Sequence, residues 1–314
     1  MKILVTGSEG SLMQYVIPLL LKQGYEVVGV DNFARYGEIE RERAYEFVRG
    51  DLTDPAFVDS IMAGIDGVIQ AAALIYGVGG FHKYPADILS KDIVLHQNIL
   101  WAMKKHGVDK VAYISSSMVY ERCNNHPSAE PDVDDSLIPS TDYGLSKLVG
   151  ERLCRAFSRQ YGINYVIWRP FNIITPHEKG EKELGMSHVF ADYIKNLLVE
   201  KKNPLPIIGD GEQVRCFTWI EDIANAIAKF SFVDKTDNKT YNLGNPEPTT
   251  MKQLAKMIYN GEEELQFETV KEYADDVKIR IPCIDLATEE LGFEPTVKVE
   301  EAVKICVDSF NAQQ

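Results

Sequence analysis

Short apolar runs alternate with helical stretches through the first half of this chain, and that alternation leaves few folds open. Residues 2–6 (KILVT), 26–30 (EVVGV), 46–49, 67–73 (GVIQAAA), 110–115 (KVAYIS) and 164–168 (NYVIW) read as strands. Residues 12–23, 86–106 and 141–161 read as helices, with Gly24 as the stop of the first and Pro18 removing one of its hydrogen bonds. Strands alternating with helices form β-α-β units on a parallel sheet, and right-handed crossovers make the sheet doubly wound, a Rossmann-type α/β fold. The order is regular to about residue 170. Proline, glycine and charge then become frequent over 175–185 and 203–213. We expect a sheet domain over 1–170 and a smaller α+β domain over 171–314, with some segments of the second returning to the first.

The turn after the first strand carries Gly7-x-x-Gly10. Glycine is needed where the backbone turns tightly and a diphosphate approaches bare N–H groups at a helix N-terminus. Two residues depart from the usual pattern: Met13 stands where a third small residue is expected, and Glu9 puts a negative charge into a phosphate-binding turn. Asp31 closes the second strand, where an acid accepts the adenosine ribose hydroxyls and repels a 2′-phosphate, so NAD is expected rather than NADP. Asp51 and Leu52 follow the third strand and can meet the adenine. Ala71, Ala72 and Ala73 follow the fourth and let a cofactor lie across the strand ends, or serve close helix–sheet packing.

Tyr143 and Lys147 are four apart on a helix, which puts both side chains on one face. An ammonium beside a phenol favours the phenolate and makes a general base for a hydroxyl. Ser115-Ser116-Ser117, at the end of the fifth strand, supplies a hydroxyl for the same oxygen.

Together with Gly50-Asp51-Leu52, Ser115-Ser116-Ser117-x-Val119-Tyr120, Tyr143-Gly144-x-Ser146-Lys147, Arg169-Pro170-Phe171-Asn172 and Gly209-Asp210-Gly211-x-x-x-Arg215-x-Phe217, these motifs resemble the extended short-chain dehydrogenase/reductases of the NAD-dependent epimerase/dehydratase family, over nearly the whole chain. The resemblance implies that Ser116 is the catalytic hydroxyl beside Tyr143 and Lys147. It implies that Gly7, Gly10, Ser11, Leu12, Asp31, Asn32, Asp51, Leu52 and the three alanines hold NAD, with Tyr143 and Lys147. The substrate implied is a nucleotide-diphosphate sugar, contacted by Ser117, Met118, Asn172, His188, Arg215 and Arg280. Arg215 is read as a bidentate diphosphate grip.

Related dehydratases and decarboxylases carry carboxylates directly after the catalytic hydroxyl. Ser117 and Met118 cannot shuttle a proton that way, which argues against both reactions. Gly79-Gly80, Tyr84-Pro85-Ala86-Asp87 and Ser187-His188-Val189 are similar to segments of GDP-fucose synthase and GDP-mannose 3,5-epimerase. His188 then reads as an acid/base, as a ligand for a substrate hydroxyl, or as a helix-start histidine bonded to backbone. The expected reaction is C4 epimerisation through a transient 4-keto sugar. The alternatives are a C4 dehydrogenase or 4-ketoreductase and, behind them, a non-catalytic NAD-binding regulator. The resemblance also implies a homodimer, formed by pairing the helices at 86–106 and 141–161 into a four-helix bundle.

A net charge of −14 argues against nucleic acid and anionic membranes as partners. No apolar run approaches the ~20 residues that span a bilayer, and the first residues do not form a signal peptide, so a cytoplasmic location is expected. The five cysteines, at 123, 154, 216, 283 and 306, form no C-x-x-C pair, so no metal site is expected.

Overall fold

The computed structural model describes residues 1–35, 37–38, 41–273 and 276–312. The first half runs β1 (Lys2–Thr6), α1 (Met13–Lys22), β2 (Glu26–Asp31), β3 (Glu46–Arg49), α2 (Pro55–Ile61), β4 (Gly67–Gln70), α3 (Val78–Lys83), α4 (Pro85–His106), β5 (Lys110–Ile114), α5 (Asp132–Asp135), α6 (Asp142–Tyr161) and β6 (Asn164–Pro170). The second half adds β7 (Ile173–Ile174), α7 (Val189–Tyr193), β8 (Leu205–Ile208), β9 (Val214–Cys216), β10 (Thr218–Trp219), α8 (Ile220–Phe230), β11 (Lys239–Leu243), β12 (Pro248–Thr250), α9 (Met251–Ile258), β13 (Phe267–Val270), α10 (Asp285–Leu291) and α11 (Val299–Ala312).

Seven parallel strands form one sheet in the order β11-β6-β5-β4-β1-β2-β3. The strand order reverses between β1 and β4, which opens a crevice at their carboxyl ends. The seventh strand, β11, comes from the second half of the chain and pairs with β6. Helix α8 from that half packs on α1 and shares its core through Ile223 and Ile227. The other sheet face is covered by α2, α4 and α6, which bury Val58, Ile99 and Phe157.

Three local features matter for the site. The fourth strand ends at Gln70, short of the expected 67–73, because the Thr6 hydroxyl accepts the N–H groups of Ala71 and Ala72 at 3.1 Å and bends that segment off the ladder. Pro18 sits on the exposed side of α1, where water can meet the carbonyl it leaves unbonded. Met13 is buried in the core between α1 and the sheet.

Candidate active site

A cavity of about 430 Å³ opens along the carboxyl ends of the strands. Every site residue expected from the sequence lines it. Gly7, Gly10, Ser11, Leu12, Asp31, Asn32, Asp51, Leu52 and Ala71–Ala73 stand at one end, with Ser116, Ser117, Met118, Tyr143 and Lys147 on the wall. Asn172, His188, Arg215 and Arg280 come from the second half of the chain.

Gly7 has φ +66°, and a Cβ there would meet the Ala72 backbone at 3.0 Å. Only glycine closes that turn without pushing away the segment that floors the cavity. The Asp31 carboxylate is fixed by two backbone donors, Glu9 N–H at 3.0 Å and Phe33 N–H at 2.8 Å. Each of its oxygens keeps a lone pair for a further donor. Asn32 and Asp51 instead use their side chains in local turns, to Ala34 N–H and to Thr53. The charge of Glu9 is compensated within the fold, since Arg41 and Arg43 grip its carboxylate and Tyr45 donates to it at 2.6 Å. The turn, the fixed acid and the bare strand ends fit NAD.

The candidate catalytic group is built by α6 against the end of β5. Thr141 caps α6 through Gly144 N–H at 3.0 Å, and Glu121 holds Thr141 in turn through its N–H at 2.8 Å and hydroxyl at 2.7 Å. That fixes Tyr143 facing Ser116, whose hydroxyl bonds it and also accepts Met118 N–H at 3.1 Å. Lys147 donates to the Ile114 carbonyl at 2.9 Å. The expectation that Lys147 lowers the phenol pKa is corrected here: burial and the Asp92 carboxylate hold Tyr143 well above its ordinary value, against the Ser116 bond. Lys147 itself is lowered to about 8 by burial, opposed by Asp92 and Glu151.

Asp92 is a residue the sequence reading missed. It is fully buried on α4, accepting Leu74 N–H at 2.9 Å and the Ser146 hydroxyl at 3.2 Å. Burial raises it to about 6, opposed by Lys147. The available signal was spacing, because Ile88, Asp92, His96, Ile99 and Met103 share the buried stripe of α4. Phe81 was also missed. It lies on α3 and stacks on the Tyr143 ring at 4.6 Å and 7°. Gly77 caps that helix and Gly79 lies in its first turn, pinned by Gly77 N–H to Met186 O (2.9 Å) and Gly79 N–H to Gly185 O (2.8 Å).

At the opposite end of the cavity, buried Arg215 binds Asp276 at 3.0 Å and Arg280 touches the Met118 sulfur. Burial lowers the pKa of both arginines, and the neighbouring Arg215 lowers that of Arg280 further. Among the described residues, Arg280 Nε and Gln213 Oε1 are buried with no hydrogen-bond partner. Two desolvated guanidiniums and orphaned polar atoms in one cavity are suited to a doubly charged anion carrying donors. Asn172 lines the cavity just before β7. His188 caps α7, and its Nδ1 meets Glu178 Oε1 at 2.7 Å. The cavity wall opposes the charge of His188, whose side chain is 47% exposed, but Glu178 keeps its pKa above the ordinary value.

Among the described residues no helix is long and apolar enough to cross a membrane. The family model for the NAD dependent epimerase/dehydratase family matches residues 3–244. A putative UDP-glucose 4-epimerase of Methanocaldococcus jannaschii is 29% identical, over 98% of this chain and 97% of its own. An uncharacterized UDP-glucose epimerase of Bacillus subtilis is 30% identical, over 82% of this chain and 81% of its own. The crystal structure of UDP-glucose 4-epimerase from Thermotoga maritima with UDP-glucose superposes with a TM-score of 0.86 at 27% identity, covering 100% of this chain and 99% of that one. Strand order, glycine turn, Tyr143–Lys147 helix and these likenesses agree, and the chain belongs to the NAD dependent epimerase/dehydratase family.

Proposed function

We propose that this protein is an NAD-dependent nucleotide-sugar epimerase acting at C4. The observation that carries the reading is one cavity joining three parts: a glycine turn with a fixed ribose acid, a buried Ser116–Tyr143 pair beside Lys147, and two desolvated arginines. NAD, held by the glycine turn and Asp31, would supply the hydride-transfer chemistry at C4. Tyr143 acts as its phenolate, which Lys147 and the positive ring of bound NAD would stabilise against burial; it takes the C4 hydroxyl proton and gives it back, while Ser116 bonds the same oxygen. Arg215, Arg280 and Asn172 hold the diphosphate while the ketone turns over. In this reading residues 1–170 carry the cofactor and 171–314 the substrate, with β11 and α8 returning to the sheet.

C4 inversion needs no further proton shuttle. Ser117 and Met118 offer none, and the Glu121 carboxylate is engaged by Ser140 and Thr141. His188, kept basic by Glu178, binds a substrate hydroxyl. The reading includes a cytoplasmic homodimer through α4 and α6. Support comes from the aromatic patch of Trp101, 45% exposed, against Phe157 and Tyr161, and from the five free cysteines.

The test is proton NMR of the purified protein with UDP-, GDP- and CDP-sugars and no added cofactor. A new anomeric signal without net NADH supports the epimerase and names the substrate. No change across the panel rejects it in favour of a C4 dehydrogenase or 4-ketoreductase.

A further inference from the structure

We propose that Glu9 selects NAD over NADP by holding Arg41 and Arg43 off the ribose 2′-oxygen. The inference rests on the NAD reading of the cavity. A carboxylate in a turn that receives a diphosphate works against binding, so its presence calls for a compensating role.

The side chain of Glu9 is buried, and both its oxygens are filled. Oε1 accepts from Arg43 Nε at 3.1 Å, Arg41 Nη2 at 3.2 Å and Tyr45 OH at 2.6 Å. Oε2 meets Arg41 Nε and Arg43 Nη2, each at 3.1 Å. The backbone N–H of the same residue donates to Asp31 at 3.0 Å. The clamp is therefore rooted one hydrogen bond from the acid that faces the ribose hydroxyls. Arg43 is held further by its Nη1 bond to the Arg41 carbonyl at 3.2 Å, and it lies over Phe47 and over Phe33, which lines the cavity two residues after Asp31.

Accepting a 2′-phosphate calls for an arginine beside that oxygen. Arg35 lines this end of the pocket and is engaged by Glu181 and the Met186 carbonyl, whereas Arg41 and Arg43 stand behind the lining residue Glu9 and donate to its carboxylate. A 2′-phosphate would meet the carboxylates of Asp31 and Glu9 first. With Glu9 neutral, Arg41 and Arg43 lose the carboxylate that they share, and the turn no longer opposes the charge of a phosphate.

The experiment compares binding of 5′-ADP and 2′,5′-ADP, by displacement of the cofactor from the purified protein, in the wild type and in Glu9→Gln. The proposal expects the wild type to prefer 5′-ADP, and the preference to move about tenfold or more toward 2′,5′-ADP in Glu9→Gln. The move must vanish when Arg41→Gln and Arg43→Gln are added. If Glu9 merely stitches two loops together, Glu9→Gln weakens both probes alike, and an unchanged ratio overturns the proposal. Arg43→Gln alone provides a check should Glu9→Gln not fold. It leaves Glu9 less compensated, so the ratio must move further toward 5′-ADP, and an unmoved ratio is equally fatal. A wild type that prefers 2′,5′-ADP rejects the NAD reading itself, which separates the two failures.

Discussion

The two ends of the cleft treat charge in opposite ways. At the cofactor end the two described carboxylates that line the cavity beside the glycine turn are paired, Glu9 with two arginines and Asp31 with two backbone donors, and the Ser8 hydroxyl beneath the turn is the orphan there. At the substrate end Arg215 leans on Asp276, and Arg280 Nε and Gln213 Oε1 are buried with none. A preformed end whose charges are paired suits a cofactor that stays, because binding there requires little rearrangement. An end with unsatisfied groups suits a ligand that exchanges, since each arrival and departure changes which groups are paired.

The largest expected effect falls between the two ends. Tyr143→Phe should lower turnover by about 10²–10⁴-fold while leaving NAD bound, checked by NMR turnover and by absorbance of the retained cofactor. Loss of both together would mean that the wall and the cofactor end are one unit. Arg280→Met, which removes the unpaired donors, should weaken binding of a nucleoside diphosphate by about ten- to a hundredfold in calorimetry. NAD content should stay unchanged, and a fall in it would erase the contrast. Asp276→Asn sharpens the same contrast with the opposite sign. It releases Arg215 for the incoming anion and should tighten nucleoside diphosphate binding by about three- to tenfold.

Asp92 tests the wall itself. Inside the fold it titrates near 6, against 3.8 for an ordinary aspartate, so its ionised form is the less favourable one in the folded protein. Its contribution to stability is therefore highest at low pH and falls as pH rises between those values. The melting temperature of Asp92→Asn relative to wild type should climb by a few degrees from pH 4.5 to 7.5. A flat difference would show that Lys147 compensates the carboxylate fully. The smallest effect is at the cavity mouth. Glu178→Gln should lower the His188 pKa, now raised by Glu178, toward the ordinary 6.5 in an NMR titration.

The sheet was legible in the chain because short buried strands and amphipathic helices leave local periodic marks, and six of the seven strands were read that way. The seventh, β11, was read only as a possible return. Lys239–Leu243 carries no local sign of the strand it will lie beside. The site residues were legible where chemistry fixes spacing, as in Gly7–Gly10 and Tyr143–Lys147. Asp92 and Phe81 were missed because each acts across a long stretch of chain: Asp92 reaches Ser146, and Phe81 reaches Tyr143. Glu9 and Met13 looked like defects in a motif, and only tertiary partners resolve them, two arginines for one and the helix–sheet core for the other.

The stitch between α3 and residues 185–186 is made by main-chain atoms, with Gly77 so close that a Cβ would stand 2.0 Å from the Ser187 carbonyl. Side-chain replacement around the sugar leaves such a seam intact. In the epimerase reading, the lining residues Leu74, Ile75, Tyr76 and Met118 can be exchanged to suit a new sugar while the roof keeps its place. The same seam sets a limit on that freedom: an alanine at Gly77 wedges the two halves apart, so specificity can be rebuilt within the chamber far more easily than the chamber can be widened.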